Sequence, residues 1–210
     1  MNHIFDFFLN AYKDTPVLFI VLEAIAFVFG IASVVYAKKE NILVYPIGLV
    51  ATVITVYLLY KAAYFGDMMM NFYYSVISIY GWWNWSRKNG KKHAIPISRT
   101  TNREKAIGVL LVVLTMAVTY LVYRYFGNEI KLENYIDIFT SGIFFTAMWY
   151  MANKKIENWM LWIFADIITV PLYAYRGLGM LSLQYFIFTL LAIQGYLAWK
   201  KSLKKDLQVA

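Results

Sequence analysis

Three acidic residues interrupt long apolar runs, and they are the residues best placed to do chemistry: Glu23, Asp137 and Asp166. A charged side chain at bilayer depth costs at least about 2.5–3.5 kcal/mol, so such residues often mark ion or substrate pathways. Glu23 and Asp137 lie near one end of their runs, where a cap or a hydrogen bond between helices is an equally good explanation. Asp166 lies deeper, and we expect it to face a polar cavity.

Asp166 belongs to a stripe of residues that recurs at helical spacing. Residues three and four apart share one face of a helix, and this face is aromatic around a single acid. A second run offers a face of small and hydroxyl residues. The two faces could form a slot for a flat ring with hydrogen-bonding groups, although aromatic stripes are more often packing surfaces. The first face comprises Trp159, Trp162, Asp166, Thr169 and Tyr173, and the second comprises Tyr45, Gly48, Thr52 and Thr55.

Two amides stand five residues after a glycine in separate runs, Asn71 after Gly66 and Gln184 after Gly179. An amide side chain both donates and accepts hydrogen bonds, which suits a ligand with carboxamide or hydroxyl groups. Amides also tie transmembrane helices together. The sequence leaves both interpretations open.

The sequence lacks the residue patterns of common catalytic, metal-binding and nucleotide-binding sites. The chain has no cysteine, and both histidines, His3 and His93, lie outside the apolar runs. It contains no HExxH, GxSxG or phosphate-binding GxxxxGK motif. We therefore expect no enzyme activity, no ATP hydrolysis, no cofactor and no metal site.

The composition places these residues in a membrane. Apolar side chains make up 61% of the 210 residues and charged side chains 15%, whereas soluble domains average about 25% charged residues. A helix needs about 20 predominantly apolar residues to cross the bilayer core. The sequence thus predicts an all-α integral membrane protein with seven transmembrane helices at 17–37, 42–60, 68–86, 106–126, 135–152, 156–175 and 178–199.

The distribution of basic residues gives the orientation, because cytoplasmic loops are enriched in Lys and Arg. An N-out, C-in orientation leaves fifteen of the 20 basic residues inside and places five outside, namely Lys13, Lys61, Arg124, Lys131 and Arg176. The net charge of +8 therefore reflects topology and not nucleic-acid binding. Tryptophans at the span ends are interpreted as a belt at the lipid headgroups, among them Trp82, Trp83, Trp85 and Trp199.

An internal repeat organises the spans. Residues 36–85 align with 150–199 without a gap, and 11 of the 50 positions are identical, including Gly81 with Gly195 and Trp85 with Trp199. Three helices in 1–86 therefore match three in 135–210, which also carries a basic tail. Residues 87–134 supply a basic loop and a linker helix. A single linker span makes the two trios parallel, a 3+1+3 arrangement with parallel repeats as found in some transporters.

Three strings of residues resemble one known family, the PnuC family, over about residues 20–200. They are Glu23-Ala24-Ile25, Tyr80-Gly81-Trp82-Trp83-Asn84-Trp85 and Glu157-Asn158-Trp159-Met160-Leu161-Trp162, with Gly195 and Trp199 closing the last span. The resemblance implies a multi-pass carrier of the bacterial inner membrane with a helix plan like that of a full-length SWEET. It also implies uptake of nicotinamide riboside by facilitated diffusion, after which a cytosolic kinase traps the riboside.

The resemblance further implies a substrate site between the two trios. The candidates on this chain are Asn71, Tyr80, Trp159, Trp162, Asp166, Gln184 and Gln194, and the repeat adds Thr52, which aligns with Asp166. The family pattern has Gln in place of Asn71, Asn near Asp166 and Asn in place of Gln194. Related carriers take thiamine or riboflavin, so uptake of thiamine or another vitamin is the alternative function. The oligomeric state stays open, and a homo-oligomer is compatible with the sequence.

Overall fold

Seven helices account for most of the chain. The computed structural model describes residues 12, 13, 15–61, 65–89, 92, 93, 95–126 and 130–209, so His3 lies outside the described residues. The helices are α1 (Val17–Lys38), α2 (Val44–Lys61), α3 (Phe65–Ser86), α4 (Asn102–Phe126), α5 (Leu132–Ala152), α6 (Glu157–Tyr175) and α7 (Gly179–Val209). Between α3 and α4, strands β1 (Lys88–Asn89) and β2 (Lys92–His93) form a small antiparallel hairpin.

Each predicted span coincides with a helix, and the largest difference is at the end of the chain. The sequence predicts a span ending at residue 199 followed by a basic tail, but α7 continues to Val209. This segment has no proline or glycine to stop the helix. The hydroxyl of Ser202 also donates a 2.8 Å hydrogen bond to Glu40 Oε1, and Leu203 packs on the main core cluster. The basic tail is therefore a continuation of the last helix.

Four of the described helices, α1, α2, α4 and α7, are long and apolar enough by composition to cross a membrane. The other three carry more polar and aromatic side chains. Helix α5 shows why, because most of its residues from Asp137 to Ala152 are buried against neighbouring helices and few can face lipid. The chain is a helical membrane protein in which α5 is the most extensively buried of the less apolar helices.

The packing of the helices follows a closed order. Helix α2 packs between α1 and α3, and α6 packs between α5 and α7. The ends of these two series also meet, α1 with α7 and α3 with α5. Helix α4 lies outside this order, because it packs along α5 and touches α3 only sparsely. Six helices therefore surround an interior to which α4 contributes little.

Helix α6 turns its polar face towards that interior. Trp159, Asp166 and Thr169 are buried, whereas the large apolar residues on the opposite face are exposed and available to lipid. The exposed residues are Met160, Phe164 and Ile167. The predicted stripe of α6 therefore points inward, as its helical spacing suggested.

Two equivalent turns lie at the same end of the bundle. After α1, Glu40 N–H donates to Ala37 O and Asn41 N–H donates to Tyr36 O, both at 3.0 Å. The same two hydrogen bonds recur exactly 114 residues later, after α5, in the turn that holds Lys154. Glu40 and Lys154 both have a positive φ, 54° and 50°, at a position where helices usually end on glycine. We call this end of the bundle, formed by residues 38–43, 95–101, 153–156 and 200–205, the basic end.

Candidate functional site

Asp166 is the most deeply buried acidic residue among the described residues. It lies near the middle of α6 with 1% of its surface exposed, and its Oδ1 atom has no hydrogen-bond partner among the described residues. A buried polar atom without a partner is costly, so native proteins seldom leave one unless a ligand or water can supply the bond. Asp166 thus provides an acceptor that is unused in the ligand-free chain.

Aromatic rings from four helices lie close to the depth of Asp166. One turn before it, the ring of Trp162 lies 5.4 Å from that of Phe144 on α5 and 6.3 Å from that of Tyr74 on α3. On α7, Tyr185 continues this wall at 5.8 Å from Phe144 and 5.2 Å from Tyr173. Such faces suit a flat, electron-poor ring, because the face of an aromatic ring attracts positive charge.

Thr52 and Asn71 are joined through Ser75. The hydroxyl of Ser75 lies 2.8 Å from Thr52 Oγ1 and 3.0 Å from the backbone oxygen of Asn71, and Thr52 itself donates to Leu49 O at 3.2 Å. Both predicted site residues therefore lie half-buried along the contact between α2 and α3. The hydrogen bond between Ser75 and Thr52 ties those two helices together.

Gln184 lies elsewhere. A side chain placed at Gly30 of α1 would come within 3.5 Å of Gln184 Nε2, so this amide lies along the contact between α1 and α7. Among the described residues the structure shows no hydrogen bond between Gln184 and Asp166. Its role as a ligand contact stays a prediction, and the helix-packing interpretation is the one that the contact supports.

Tyr80, Gln194 and Trp159 gather at the basic end. Tyr80 donates its hydroxyl to Asn153 Oδ1 at 3.2 Å, and Lys38 Nζ donates to Gln194 Oε1 at 2.8 Å. Trp159 is fully buried in the main core cluster. The eight predicted site residues are thus spread over the α2–α3 contact, the inward face of α6, the α1–α7 contact and the surroundings of the basic end, and they do not form one cluster. Their role in binding stays a prediction.

The burial of Trp159 is part of an arrangement that occurs twice. Trp159 packs over Gly195 and meets Trp199 edge to face at 5.5 Å. At the equivalent positions Tyr45 packs over Gly81 and meets Trp85 edge to face at 5.2 Å. The identities of Gly81 with Gly195 and of Trp85 with Trp199 are visible in the sequence, but the packing of an aromatic ring over each glycine was not predicted from them. The alignment of Tyr45 with Trp159 was the signal for it.

Trp85 and Trp199 correct the belt interpretation. They are 2% and 0% exposed, and their indole N–H groups donate to Ala152 O at 3.2 Å and to Ala37 O at 3.0 Å. Both rings therefore bridge between helices of different repeats and do not lie among lipid headgroups. Trp82 and Trp83, at 42% and 58% exposure, are positioned as a belt requires. Position near a span end could not separate these two situations.

Glu23 and Asp137 have structural partners. Tyr12 donates its hydroxyl to Glu23 Oε1 at 2.6 Å, and Tyr123 donates to Asp137 Oδ2 at 3.0 Å. Arg176 adds a 2.7 Å ion pair to Asp137. Of the two explanations that the sequence left open for these acids, the structure supports the hydrogen bond between segments.

A groove of about 460 Å³ lies on the outer surface between α3 and α4, with Phe145 of α5 at its base. Its walls are almost entirely apolar, and Thr115 and Thr119 supply the few hydroxyl groups. It exists because α4 packs along α5 and leaves α3 nearly free. Its position faces lipid and is separate from Asp166, so it is not the candidate site.

The nicotinamide mononucleotide transporter family matches this chain over residues 20–201. The chain belongs to that family. Membership covers nearly every described helix and places the protein among multi-pass membrane transporters and not among enzymes. The expectations of a membrane protein and of a function other than catalysis are confirmed at this level.

Relatives within and near the family are distant in sequence but similar in extent. The nicotinamide riboside transporter PnuC of Escherichia coli (strain K12) is 23% identical over 207 residues, covering 88% of this chain and 87% of its own. PnuC of Neisseria mucosa is 28% identical over 202 residues, covering 88% of this chain and 73% of its own. The riboflavin/roseoflavin transporter RibM of Streptomyces davaonensis is 25% identical over 133 residues, covering 62% of each.

A solved structure has the same fold. The crystal structure of the vitamin B3 transporter PnuC superposes with a TM-score of 0.71 at 24% identity, covering 94% of this chain and 86% of that one. The arrangement of helices described above is thus the fold of a known transporter.

Proposed function

We propose that this protein carries nicotinamide riboside across the bacterial inner membrane by facilitated diffusion. In this proposal α1–α3 and α5–α7 are two trios, α4 is the linker span, and the N-terminus lies outside. Rocking of the trios would expose the interior to each side in turn, as in other repeat-built transporters. The observation that carries the proposal is the buried Asp166, whose Oδ1 has no hydrogen-bond partner among the described residues, one helical turn from the aromatic wall of Trp162.

The chemistry of nicotinamide riboside matches this interior. Its pyridinium ring is flat and cationic, so the aromatic wall can hold the ring by stacking and cation–π attraction. The carboxylate of Asp166 supplies the opposite charge, and a charge-assisted contact is stronger than a neutral one. The hydroxyls and amides of α2 and α3, Thr52, Ser75 and Asn71, offer donors and acceptors for the carboxamide and ribose.

The same charge argues against the phosphorylated form. Nicotinamide mononucleotide adds a phosphate that is largely dianionic at neutral pH. The described residues of the interior place an acid near the aromatic wall, and the basic side chains lie at the ends of the bundle. The riboside is therefore the better fit, although the family takes its description from the mononucleotide.

Net uptake needs no energy source under this proposal. A cytosolic kinase that phosphorylates the riboside keeps its free concentration low, so diffusion continues inward. The sequence has no nucleotide-binding motif of its own, which agrees with a carrier that relies on a separate enzyme.

Thiamine is the second candidate, and riboflavin the third. Thiamine is also cationic and aromatic, so Asp166 and the aromatic wall would accept it on the same grounds. The similarity to RibM brings riboflavin into consideration, but riboflavin is uncharged and would leave Asp166 without an ionic partner.

Calorimetric titration of the purified protein tests the proposal. Nicotinamide riboside, nicotinamide mononucleotide, thiamine and riboflavin are titrated separately into the protein and into its Asp166→Asn variant. We expect the riboside to bind most tightly. We expect Asp166→Asn to weaken it about 10- to 100-fold, since a hydrogen bond to a charged group contributes about 1.5–3 kcal/mol.

The control variant is Glu133→Gln. It removes an acid at the start of α5, at the end of the bundle opposite to the basic end. It should leave riboside binding unchanged. Tighter binding of thiamine would replace the proposed substrate. Equal affinity of the Asp166→Asn variant would remove the argument from charge.

A further inference from the structure

Two pairs of repeat-equivalent residues touch each other at the basic end. Trp85 and Trp199 are 114 residues apart, as the repeat requires, and their ring centroids lie 6.0 Å apart. Glu40 and Lys154 are separated by the same interval, and their charged groups lie 3.6 Å apart. Residues related by a two-fold axis approach each other only when they lie beside that axis. Both pairs therefore mark the axis between the repeats.

One member of the charged pair is buried here, because the side chain of Lys154 is 4% exposed whereas that of Glu40 is 32% exposed. The ammonium of Lys154 lies over the ring of Trp85 at 4.7 Å from the centroid. Glu40 uses its other carboxylate oxygen to accept the hydrogen bond from Ser202 of α7. The turn after α1, the turn after α5 and the end of α7 are thereby joined where a passage along the axis would open.

The backbone conformation at Glu40 and Lys154 is a second indication that their side chains are functional. A left-handed conformation costs a residue with a Cβ roughly 1–2 kcal/mol relative to the right-handed one, and glycine avoids this strain. The chain nevertheless has charged residues at both positions, each with positive φ. Strained backbone that persists in this way often accompanies a functional side chain.

We propose that Glu40 and Lys154, with Lys154 over the ring of Trp85, form a lock that closes the basic end of the transport pathway. This inference rests on the proposed function, because it assumes that the two trios separate at this end to release substrate. It assigns the residues that keep this end closed, and none of them is a proposed contact of the substrate.

An ion pair with one buried member suits a closure that must reopen. Desolvation of the Lys154 ammonium offsets much of its attraction to Glu40, so the closed pair and the separated, hydrated charges differ little in free energy. Burial lowers the pKa of the Lys154 ammonium, and the attraction of Glu40 offsets part of that decrease. Two further contacts, from Tyr80 to Asn153 and from Lys38 to Gln194, flank the lock and would open with it.

A second ion pair at the same end provides the control. Lys155 and Glu104 lie 2.9 Å apart, and Lys155 also donates to Ser98 at 3.0 Å. This pair fastens the start of α4 to the turn between α5 and α6. It does not connect α1–α3 with α5–α7, so its loss should not open the pathway.

The test measures access to Ser78, which is buried one turn above Gly81 on the face of α3 that includes Tyr74. The chain has no cysteine, so Ser78→Cys introduces a single thiol. Full-length protein in membrane vesicles is labelled with a membrane-impermeant methanethiosulfonate, added from either side in separate samples. The lock variants are Glu40→Gly and Lys154→Gly, which relieve the backbone strain while they remove the charge.

We expect both variants to accelerate labelling from the basic-end side. For Glu40→Gly we expect about a tenfold increase, because loss of the ion pair destabilises the closed form relative to the open form and so raises the open population. The effect of Glu40→Gly should be the larger, because it leaves the buried ammonium of Lys154 without a counter-ion. The exchanged double variant, Glu40→Lys with Lys154→Glu, should restore slow labelling. Glu104→Gln should change nothing.

Equal labelling rates in all variants would overturn the lock, and so would an exchanged variant that stays as open as the single ones. Riboside binding is measured on the same proteins by calorimetry. Normal binding with unchanged labelling rejects the lock and keeps the proposed substrate. Faster labelling without riboside binding in any variant keeps the lock and rejects the substrate.

Discussion

Because Gly81 and Gly195 have no side chain, the neighbouring helix can pack an aromatic ring directly against each of them. The ring of Tyr45 occupies the space where a Cβ at Gly81 would stand, and the ring of Trp159 does the same at Gly195. Each aromatic residue can therefore lie flat against the helix backbone. Because Tyr45 and Trp159 are among the largest fully buried side chains, these contacts determine how closely the helices approach at the basic end.

Alanine at either glycine should destabilise the closed form. The added methyl group must displace an aromatic ring, and overpacking of this kind costs about 1–3 kcal/mol. We expect Gly81→Ala and Gly195→Ala to lower the midpoint of thermal unfolding of the detergent-purified protein. Gly30→Ala is the matched control, because a Cβ there would meet its neighbours at ordinary contact distances of 3.5 Å. Loss of stability in the control alone would contradict this account.

Individual residues also show how far the sequence can be taken. The burial of Asp166 was predictable, since its depth in an apolar run leaves it only the interior. Lys154 was counted as an ordinary cytoplasmic base, because nothing local distinguishes it from Lys155. Its burial depends on meeting Glu40 across the repeat axis, and a contact between residues far apart in sequence cannot be deduced from either neighbourhood.

At the scale of elements, α4 is fastened to the second series of helices at both of its ends. Near its start, Tyr150 of α5 donates its hydroxyl to Glu104 O at 3.1 Å. Near its end, Tyr123 reaches Asp137 of α5, which also pairs with Arg176 after α6. We infer that α4 moves with α5–α7 and not with α1–α3.

The Asp137→Asn variant tests the contact between the end of α4 and α5. Asp137 and Arg176 are mostly buried, and leaving one partner of such a bond unsatisfied costs about 1–3 kcal/mol. We expect a lower midpoint of thermal unfolding with riboside affinity unchanged. Glu133→Gln lies one turn earlier on the same helix, and since Glu133 has no ion pair among the described residues, its stability should match that of the parent. A fall in riboside affinity for Asp137→Asn would instead connect this pair to the substrate site.

Helix existence was predictable and helix ends were less so. Apolar runs bounded by polar connections located all seven helices, because lipid requires each span to satisfy its own backbone hydrogen bonds. The extension of α7 to Val209 was not predicted. A basic segment after an apolar span is typical of a polar tail, and its contacts with Glu40 and the core are not visible in the sequence. The β1–β2 hairpin was likewise absent from the prediction.

For the whole molecule, the distribution of charge makes a prediction about sidedness. The basic end collects Lys38, Lys155 and Lys200, and positive residues are retained in the cytoplasm during insertion. Green fluorescent protein fused after Ala210 should therefore fluoresce in intact bacteria. Alkaline phosphatase fused at the same point should be inactive. An active phosphatase fusion would invert the proposed orientation and move the lock to the outer face.

The arrangement of the whole followed only in part from the sequence. The repeat predicted two trios of helices, and the packing order of α1–α3 and α5–α7 is compatible with them. The sequence did not indicate that the two series of helices would meet closely next to the basic end. These contacts divide the predicted site, because Tyr80, Trp159 and Gln194 take part in them.

The opposite signs of Glu40 and Lys154 bear on why both halves belong to one polypeptide. In a dimer of identical trios, the residue at this position would face its own copy across the symmetry axis. Two glutamates or two lysines would then repel each other in a buried setting. Because the halves are one polypeptide, the two positions can carry different residues, so attraction replaces repulsion beside the axis.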